Sequence, residues 1–309
     1  MIEFYGDNKI QKASSHAVAL LRLRSFLDKN EPKLVYFLQN MWNSQRRAIT
    51  YKELREAILH DIVSASLLEE WQEDYSNFLI EHLIPIWLDA MDKASAPVKQ
   101  HAKKFVFNPM ADGVHDWVTT YGASFVTNST QTQIQALNGV IRMATRLEDY
   151  TVDELAMVIR PIVGLNQPQA LANMRYYKTM REYGLSHEKA LDKSVRYAAR
   201  QHRQRGYLIA RTELAHGYNK GEYFAVKQAQ EKGYMGECVK VWCTADDERV
   251  CGSCGPMDGM RIALDDEFDF STKLDGWTRL TPPLHPNCRC GFLIEEIAPP
   301  QTDYMSISY

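Results

Sequence analysis

Long apolar runs are absent from this chain. No stretch approaches the roughly 18 residues that a bilayer-crossing helix requires, so a membrane span is not expected. The opening Met1-Ile-Glu-Phe-Tyr-Gly-Asp7 also lacks the basic end and apolar core of an export signal. The expected surroundings are therefore reducing, where thiols hold metals rather than pair as disulfides. Internal repeats and low-complexity tracts are missing, which leaves an ordinary packed chain of about two domains for the 309 residues. Neither sign of charge is in excess: 36 Lys/Arg against 39 Asp/Glu leave a net of −3. That balance argues against high non-specific affinity for nucleic acid.

The near-neutral total conceals two blocks. Between Leu171 and Lys220 stand 11 Lys/Arg against 4 Asp/Glu; from Val241 onward there are 5 against 12. The blocks can pair with each other or face separate partners. Within the basic one, Arg196, Arg200 and Arg203 share a helical face. They are candidates for contact with DNA or an acidic partner surface, set against a merely solvated face, the commoner cause of such a run.

Apolar periodicity reads as helix over most of the length. From Ser14 to Asn43 leucines and aromatics recur at helical spacing, with a break expected at Glu31-Pro32. Thr50-Tyr-Lys-Glu53 and Thr151-Val-Asp-Glu154 are capping boxes that open helices. Leu67 to Trp87 carries an aromatic stripe read as core, with a kink at Pro85. Ala94 to Gly113, with two prolines and an Asp-Gly pair, reads as a joint between subdomains. Separate helices are expected over Val114–Thr127 and Gln131–Leu147, the second capped by Asn128 or Ser129. A helix stops near Pro161, and Asn166 and Ser186 cap the next two, the first ending at Gly184. Beyond Gly233, Cys238–Cys243, Met260–Leu264 and Gly291–Ile294 read as short antiparallel strands. The fold class is thus α+β. An N-terminal helical region covers 1–112 and a middle helical region 113–206. A C-terminal domain of helix plus small β-sheet covers 207–297, and 298–309 is a tail, disordered or lying on a neighbour.

Cysteine is scarce, six in all, yet four stand in Cys251-Gly-Ser-Cys254 and His285-Pro-Asn-Cys288-Arg-Cys290. Soft thiolates and an imidazole at knuckle spacing suit a tetrahedral zinc ion. Gly252 is expected to let the first turn fold under the ion, and Pro286 to fix the second. The expected ligands are Cys251, Cys254, His285 and Cys288. Cys290 is a rival for the fourth place, because in an extended segment it faces the same side as Cys288. Four protein ligands make the zinc structural and leave no open position for water. Buried free thiols or a disulfide are the plainer alternatives.

Several motifs now stand in order: Ile209-Ala-Arg-Thr-Glu213, Asn219-x-Gly221, Trp242-x-Thr244-x-x-Asp247, Cys251-x-x-Cys254, Gly259, and Pro283-x-His285-Pro-x-Cys288-Arg-Cys290. The series closely resembles the C-terminal domain of phage Mu F-like minor head proteins, also called head morphogenesis proteins, over about Tyr207 to Glu296. The resemblance implies a structural, non-enzymatic protein of a tailed bacteriophage or prophage. It implies association with the portal ring, possible contact with other capsid proteins, and action in capsid assembly, DNA packaging or DNA delivery. Its expected place is the virion, at the capsid interior or portal vertex, with the host cytoplasm during assembly. Of the motif residues, Arg211 is read as pairing with Asp246 or Asp247 in preference to clamping a phosphate. Glu213, two residues from Arg211, does not share its helical face. Trp242 is read as strand core, and His216 as a polar surface group.

Two other classes compete. A zinc deaminase needs His-x-Glu ahead of Pro-Cys-x-x-Cys; the chain has no His-x-Glu, and Val250 precedes Cys251. A zinc nuclease is the nearer enzymatic alternative, since Leu284-His-Pro-Asn-Cys288 superficially resembles such sites, but a second nearby histidine is missing. An ADP-ribosyltransferase needs Glu-x-Glu, which Glu295-Glu296 does not supply. A stand-alone DNA-binding protein is the second alternative, carried only by the basic block.

Overall fold

The structure, a computed structural model, describes residues 7–146, 150–245, 247–268 and 280–300, with side chains from residue 16 onward. Among them lie α1 (Asp7–Ala48), α2 (Tyr51–His60), α3 (Ala65–Phe78), α4 (Ile84–Ala94), α5 (Ala96–His101), α6 (Asp112–Ala144), α7 (Val152–Ile159), α8 (Gln167–Glu182) and α9 (His187–Glu231). The strands β1 (Glu237–Cys243), β2 (Arg261–Ala263) and β3 (Gly291–Ala298) follow. The class is α+β, with the sheet confined to the C-terminal part. No described helix is long and apolar enough to cross a membrane.

Local chemistry sets the helix ends. Thr50 and Thr151 each form a reciprocal capping box, with Glu53 and Glu154, and Asn166 does the same with Gln169. The Ser186 hydroxyl accepts from the Lys189 N–H at 3.4 Å. Gly184 (φ +81°) and Gly233 (φ +68°) follow α8 and α9 in the left-handed conformation that glycine adopts without strain.

Two expectations about helix breaks are corrected, those at Pro32 and at Asn128–Ser129. α1 runs straight through Pro32. An interior proline costs about 3 kcal/mol, but Leu23, Leu27, Leu34 and Leu38 on either side of it are all buried, each contributing roughly 1.5–3 kcal/mol. α6 is one helix and not two. Thr127 and Asn128 are exposed on it, while Phe125, Val126, Leu137, Val140 and Ile141 keep one buried stripe in phase. At Pro85 the chain answers with a π turn, Leu79–Leu83, in which the Ile84 N–H reaches Leu79 O. The aromatic stripe of α3 and α4 is core as expected, with Trp71, Tyr75, Phe78 and Trp87 buried.

By internal packing the chain divides into two units, each assembled from separated segments. One takes Lys33–Ile84 and Trp117–Tyr207. Its core gathers Leu54, Trp71, Val140, Leu155, Ile159 and Tyr177. Beside that core runs a buried polar chain. Trp42 Nε1 donates to the Tyr75 hydroxyl (3.1 Å), Tyr75 to Gln133 Oε1 (2.9 Å), and Gln133 Nε2 to Gln45 Oε1 (3.0 Å). The buried Arg205 donates to the Gly164 carbonyl and lies 5.2 Å over the Trp42 ring.

The other unit takes the chain up to Pro32, Pro85–Asp116, and everything from Leu208. The whole Ala94–Gly113 segment lies inside it, anchored by buried Phe105 and Phe107. In this unit α4 crosses α9 at two glycines. A Cβ on Gly221 would sit 2.2 Å from Met91 Cα, and one on Gly217 would sit 2.9 Å from Trp87 Cδ1. Trp87 Nε1 donates to the Glu213 carbonyl at 3.2 Å across the same crossing. The sheet has the order β2-β1-β3, antiparallel throughout, with Val241 opposite Leu293 and Trp242 opposite Phe292. Strand alternation sends Val241 and Cys243 to one face, against Leu20 and Leu293. Trp242 goes to the other, with Met257, Phe268, Leu284 and three of the cysteines.

Candidate metal centre

Two turns carry the donors, both on the Trp242 face of the sheet. In the first, the Cys254 N–H approaches Cys251 O (3.1 Å) and Cys251 Sγ (3.4 Å), and the Gly255 N–H donates to Cys251 O (2.9 Å). Gly252 is not in the left-handed region and has open space where a Cβ would stand, so the turn does not depend on glycine there. The left-handed glycine of this segment is Gly259 (φ +73°).

In the second turn the Cys288 N–H donates to His285 O at 3.1 Å. Asn287 takes the left-handed conformation (φ +63°), which asparagine tolerates better than most residues. The helices hold this turn from outside. Thr212 Oγ1 accepts from the Asn287 N–H (3.0 Å), and Asn287 Oδ1 accepts from an Arg211 guanidinium N–H (2.9 Å). The same guanidinium grips Glu31 of α1 through two bonds, of 2.7 and 3.0 Å. One residue beyond Cys288, Arg289 meets Asp247 in a fork-to-fork pair (2.7 and 2.6 Å).

The five donors form two overlapping triads that share Cys254: Cys251 with Cys254 and His285, and Cys254 with Cys288 and Cys290. Cys254 Sγ lies 3.8 Å from Cys288 Sγ, and His285 Nε2 lies 3.1 Å from Cys251 Sγ and 3.3 Å from Cys254 Sγ. Around a tetrahedral zinc with bonds of roughly 2.3 Å to sulfur and 2.0 Å to nitrogen, donors stand about 3.8 Å (S···S) and 3.5 Å (S···N) apart. Within each triad the donor chemistry and these spacings suit such an ion, while no four of the five donors lie within 4.8 Å of one another; all six cysteines are free thiols. Cys254, Cys288 and Cys290 are buried, with Cys251 and His285 half-exposed at the rim. A cavity of ≈ 30 Å³ lies among them, room for a single ion or water.

The protonation pattern describes donors crowded together. Hydrogen bonds from the Cys254 and Cys290 thiols hold Cys288 well below the usual thiol range. Its neighbours pay in the other direction: contact with Cys288 pushes Cys254 up. The Cys288 sulfur also raises His285 to about 9, against burial. For Cys251, burial pulls upward but is outweighed by the Cys254 N–H and thiol, and the net shift is down. A cation at the centre of these donors would take over the role that shared protons play here. The cluster can hold a metal ion.

The remaining candidates are distributed as follows. Arg211 pairs with a carboxylate, but the partner is Glu31, not Asp247; Asp246 lies outside the described residues. Asp247 belongs to Arg289 and Arg249, and those bonds, Arg289 first, hold its carboxyl well below the ordinary range. Glu213 is buried on α9, and Trp242 is fully buried, its ring edge-on to Phe268 at 5.0 Å. His216 is corrected: it is 1% exposed, and burial drives its pKa down to about 3. Arg196, Arg200 and Arg203 are exposed on α9; Arg196 pairs with Asp192 and Arg200 lies 5.4 Å over the Tyr197 ring.

Four supporting residues escaped sequence reading. Glu31 gave no local signal, being 180 positions from Arg211. Thr212 stood inside a recognised motif, and Asn287 inside the His-Pro-Asn-Cys turn, where asparagine before cysteine was a readable sign of a left-handed residue. Asp258 accepts from both the Thr244 N–H (2.7 Å) and hydroxyl (2.9 Å), fixing the strand end beside the first turn.

Residues 184–293 match the family model described as Phage Mu protein F like protein. No curated protein and no solved structure gives a significant match to the chain. The matched span takes in the basic part of α9, the three-stranded sheet up to Leu293, and both cysteine-bearing turns. Over that span, 110 of its 309 residues, the chain carries a domain similar to the phage Mu F-like proteins.

Proposed function

We propose that the protein is a structural minor head protein of a tailed phage or prophage, which docks on the portal ring and acts in capsid assembly, DNA packaging or DNA delivery. Its place is the virion, at the capsid interior or portal vertex. The observation that carries this reading is the match over residues 184–293. Co-expression with the cognate portal, followed by size-exclusion chromatography, tests it. Co-elution with free portal or with procapsids is the expected result, and separate elution from both overturns it.

Within that protein, Cys251, Cys254, His285 and Cys288 hold one structural zinc, with Cys290 as the rival fourth ligand. The overlapping triads and their spacings support this assignment. Closed coordination by protein donors leaves no place for a reacting water, which favours a structural role over a nuclease. Elemental analysis of protein purified without chelator should give one zinc per chain.

A weak, salt-dependent contact with DNA is the second reading. It is favoured by the exposed side chains of Lys193, Arg196, Arg200 and Arg203, which lie along one flank of α9 with Tyr197 among them and Tyr207 one turn beyond.

A further inference from the structure

We infer that Glu31 of α1, through Arg211, is a positioning residue of the metal centre, so that metal binding and the seating of α1 on α9 are coupled. The inference rests on the metal reading above. The second turn is closed by its own Cys288 N–H bond to the His285 carbonyl and is also held from outside. Asn287 sits in the left-handed region, and its backbone N–H and its side-chain oxygen are both bonded to α9, at Thr212 and Arg211. Those bonds place the His285 carbonyl to receive the Cys288 N–H, and so aim two donors at the centre.

Arg211 can serve that purpose only if its guanidinium is fixed. A free arginine side chain samples many rotamers, whereas one clamped bidentately presents its remaining N–H in a single direction. Glu31 supplies the clamp, with its side chain 6% exposed. The order of bonds is then Glu31 to Arg211 to Asn287 to the turn between His285 and Cys288. Asp247 holds Arg289, the residue after Cys288, by a similar two-bond pair. Partners of this kind orient metal ligands, and removing one typically weakens metal affinity about 10–100-fold. By reciprocity, whatever Glu31 contributes to metal affinity, the metal contributes equally to holding Glu31 and its helix in place.

The test uses the full chain, stripped of metal and titrated with Co(II) against a competing chelator, with the thiolate-to-cobalt absorption as readout. Glu31→Gln should bind Co(II) about 10–100-fold more weakly than wild type while keeping the same absorption spectrum. Asn287→Gly keeps the left-handed turn but deletes the Arg211 acceptor, and should weaken binding similarly without disturbing the α1–α9 contact. In hydrogen exchange, added zinc should protect amides of residues 16–31 in wild type and protect them less in Glu31→Gln. Equal Co(II) affinity in wild type and both variants, with unaltered exchange near Glu31, overturns the inference while leaving the metal reading intact. A wild-type protein that takes up no cobalt defeats both.

Discussion

Replacing Gly221 with alanine sets two opposed effects against each other. Alanine is the better helix former, by about 1 kcal/mol in an exposed helix interior, and on that ground alone Gly221→Ala in α9 should stabilise. The crossing with α4 says otherwise. The added methyl would lie 2.2 Å from Met91 Cα and 2.9 Å from Met91 O, against the 3.4 Å where ordinary contact begins. Both obstacles are backbone, so no side-chain rotation relieves them, and the two helices must part by about 1.2 Å at the crossing. Overpacking of this kind costs roughly 1–3 kcal/mol and occasionally more. Parting the helices also strains the Trp87 Nε1 bond to Glu213 O, worth about 1 kcal/mol. The net expectation is a loss of about 1–3 kcal/mol, or a Tm lower by roughly 2–12 °C on the scale appropriate to larger domains. Thermal unfolding of Gly221→Ala beside wild type is the assay, with Gly252→Ala as the neutral control, since that position opens on empty space. A Tm equal to or above wild type in Gly221→Ala would refute the close-crossing argument and leave helix propensity as the governing term.

Cys254 belongs to both donor triads. Cys254→Ser should therefore lose zinc outright, whereas Cys290→Ser should be milder than Cys288→Ser if Cys288 is the fourth ligand; the opposite order assigns Cys290. Zinc content after gel filtration decides. Buried His202 has Nδ1 and Nε2 each 2.8 Å from a carbonyl oxygen, of Ala198 and Val163, and burial followed by the Arg46 charge lowers its pKa from 6.5 to about 4. The unfolded chain therefore binds a proton that the folded chain refuses. The stability this gives is full above pH 6.5, falls as the pH drops, and levels off below about pH 4. Denaturant midpoints measured across that window should fall less steeply in His202→Gln, and identical slopes would speak against the assignment. Replacing Arg196, Arg200 and Arg203 by glutamine should flatten the salt dependence of DNA retention, because each lost phosphate contact releases fewer counterions; an unchanged slope means these side chains face protein or solvent.

What the sequence revealed, it revealed through local chemistry. Thr50, Thr151, Asn166 and Ser186 cap helices because the partners of a cap lie within three residues of it. The three strands, the two cysteine turns and the buried aromatic stripe were readable for the same reason, since period and spacing are properties of neighbours. Pro32 and the pair Asn128–Ser129 misled because their effect on a helix is decided by what the rest of that helix buries. His216 looked like a surface group because nothing in its vicinity reports which face of a 45-residue helix is covered. The pairing of Arg211 with Glu31 spans 180 positions. Two units each built from separated segments are likewise invisible to a reading that proceeds in chain order.

The sheet is covered on both faces by different materials. Behind Val241, Cys243 and Leu293 lies a helix side chain, Leu20; in front of Trp242 lie the cysteines and a few apolar groups. Among the described residues of that front layer, Cys254, Cys288 and Cys290 stand beside Met257, Phe268 and Leu284, so the state of the sulfurs bears directly on its packing. Trp242 stands against that layer with its indole fully buried. It is thereby an internal optical probe. Its contribution, isolated as the difference between the emission of wild type and of Trp242→Phe, should shift to the red when the front layer loosens and so report the condition of the sulfur cluster without any added label.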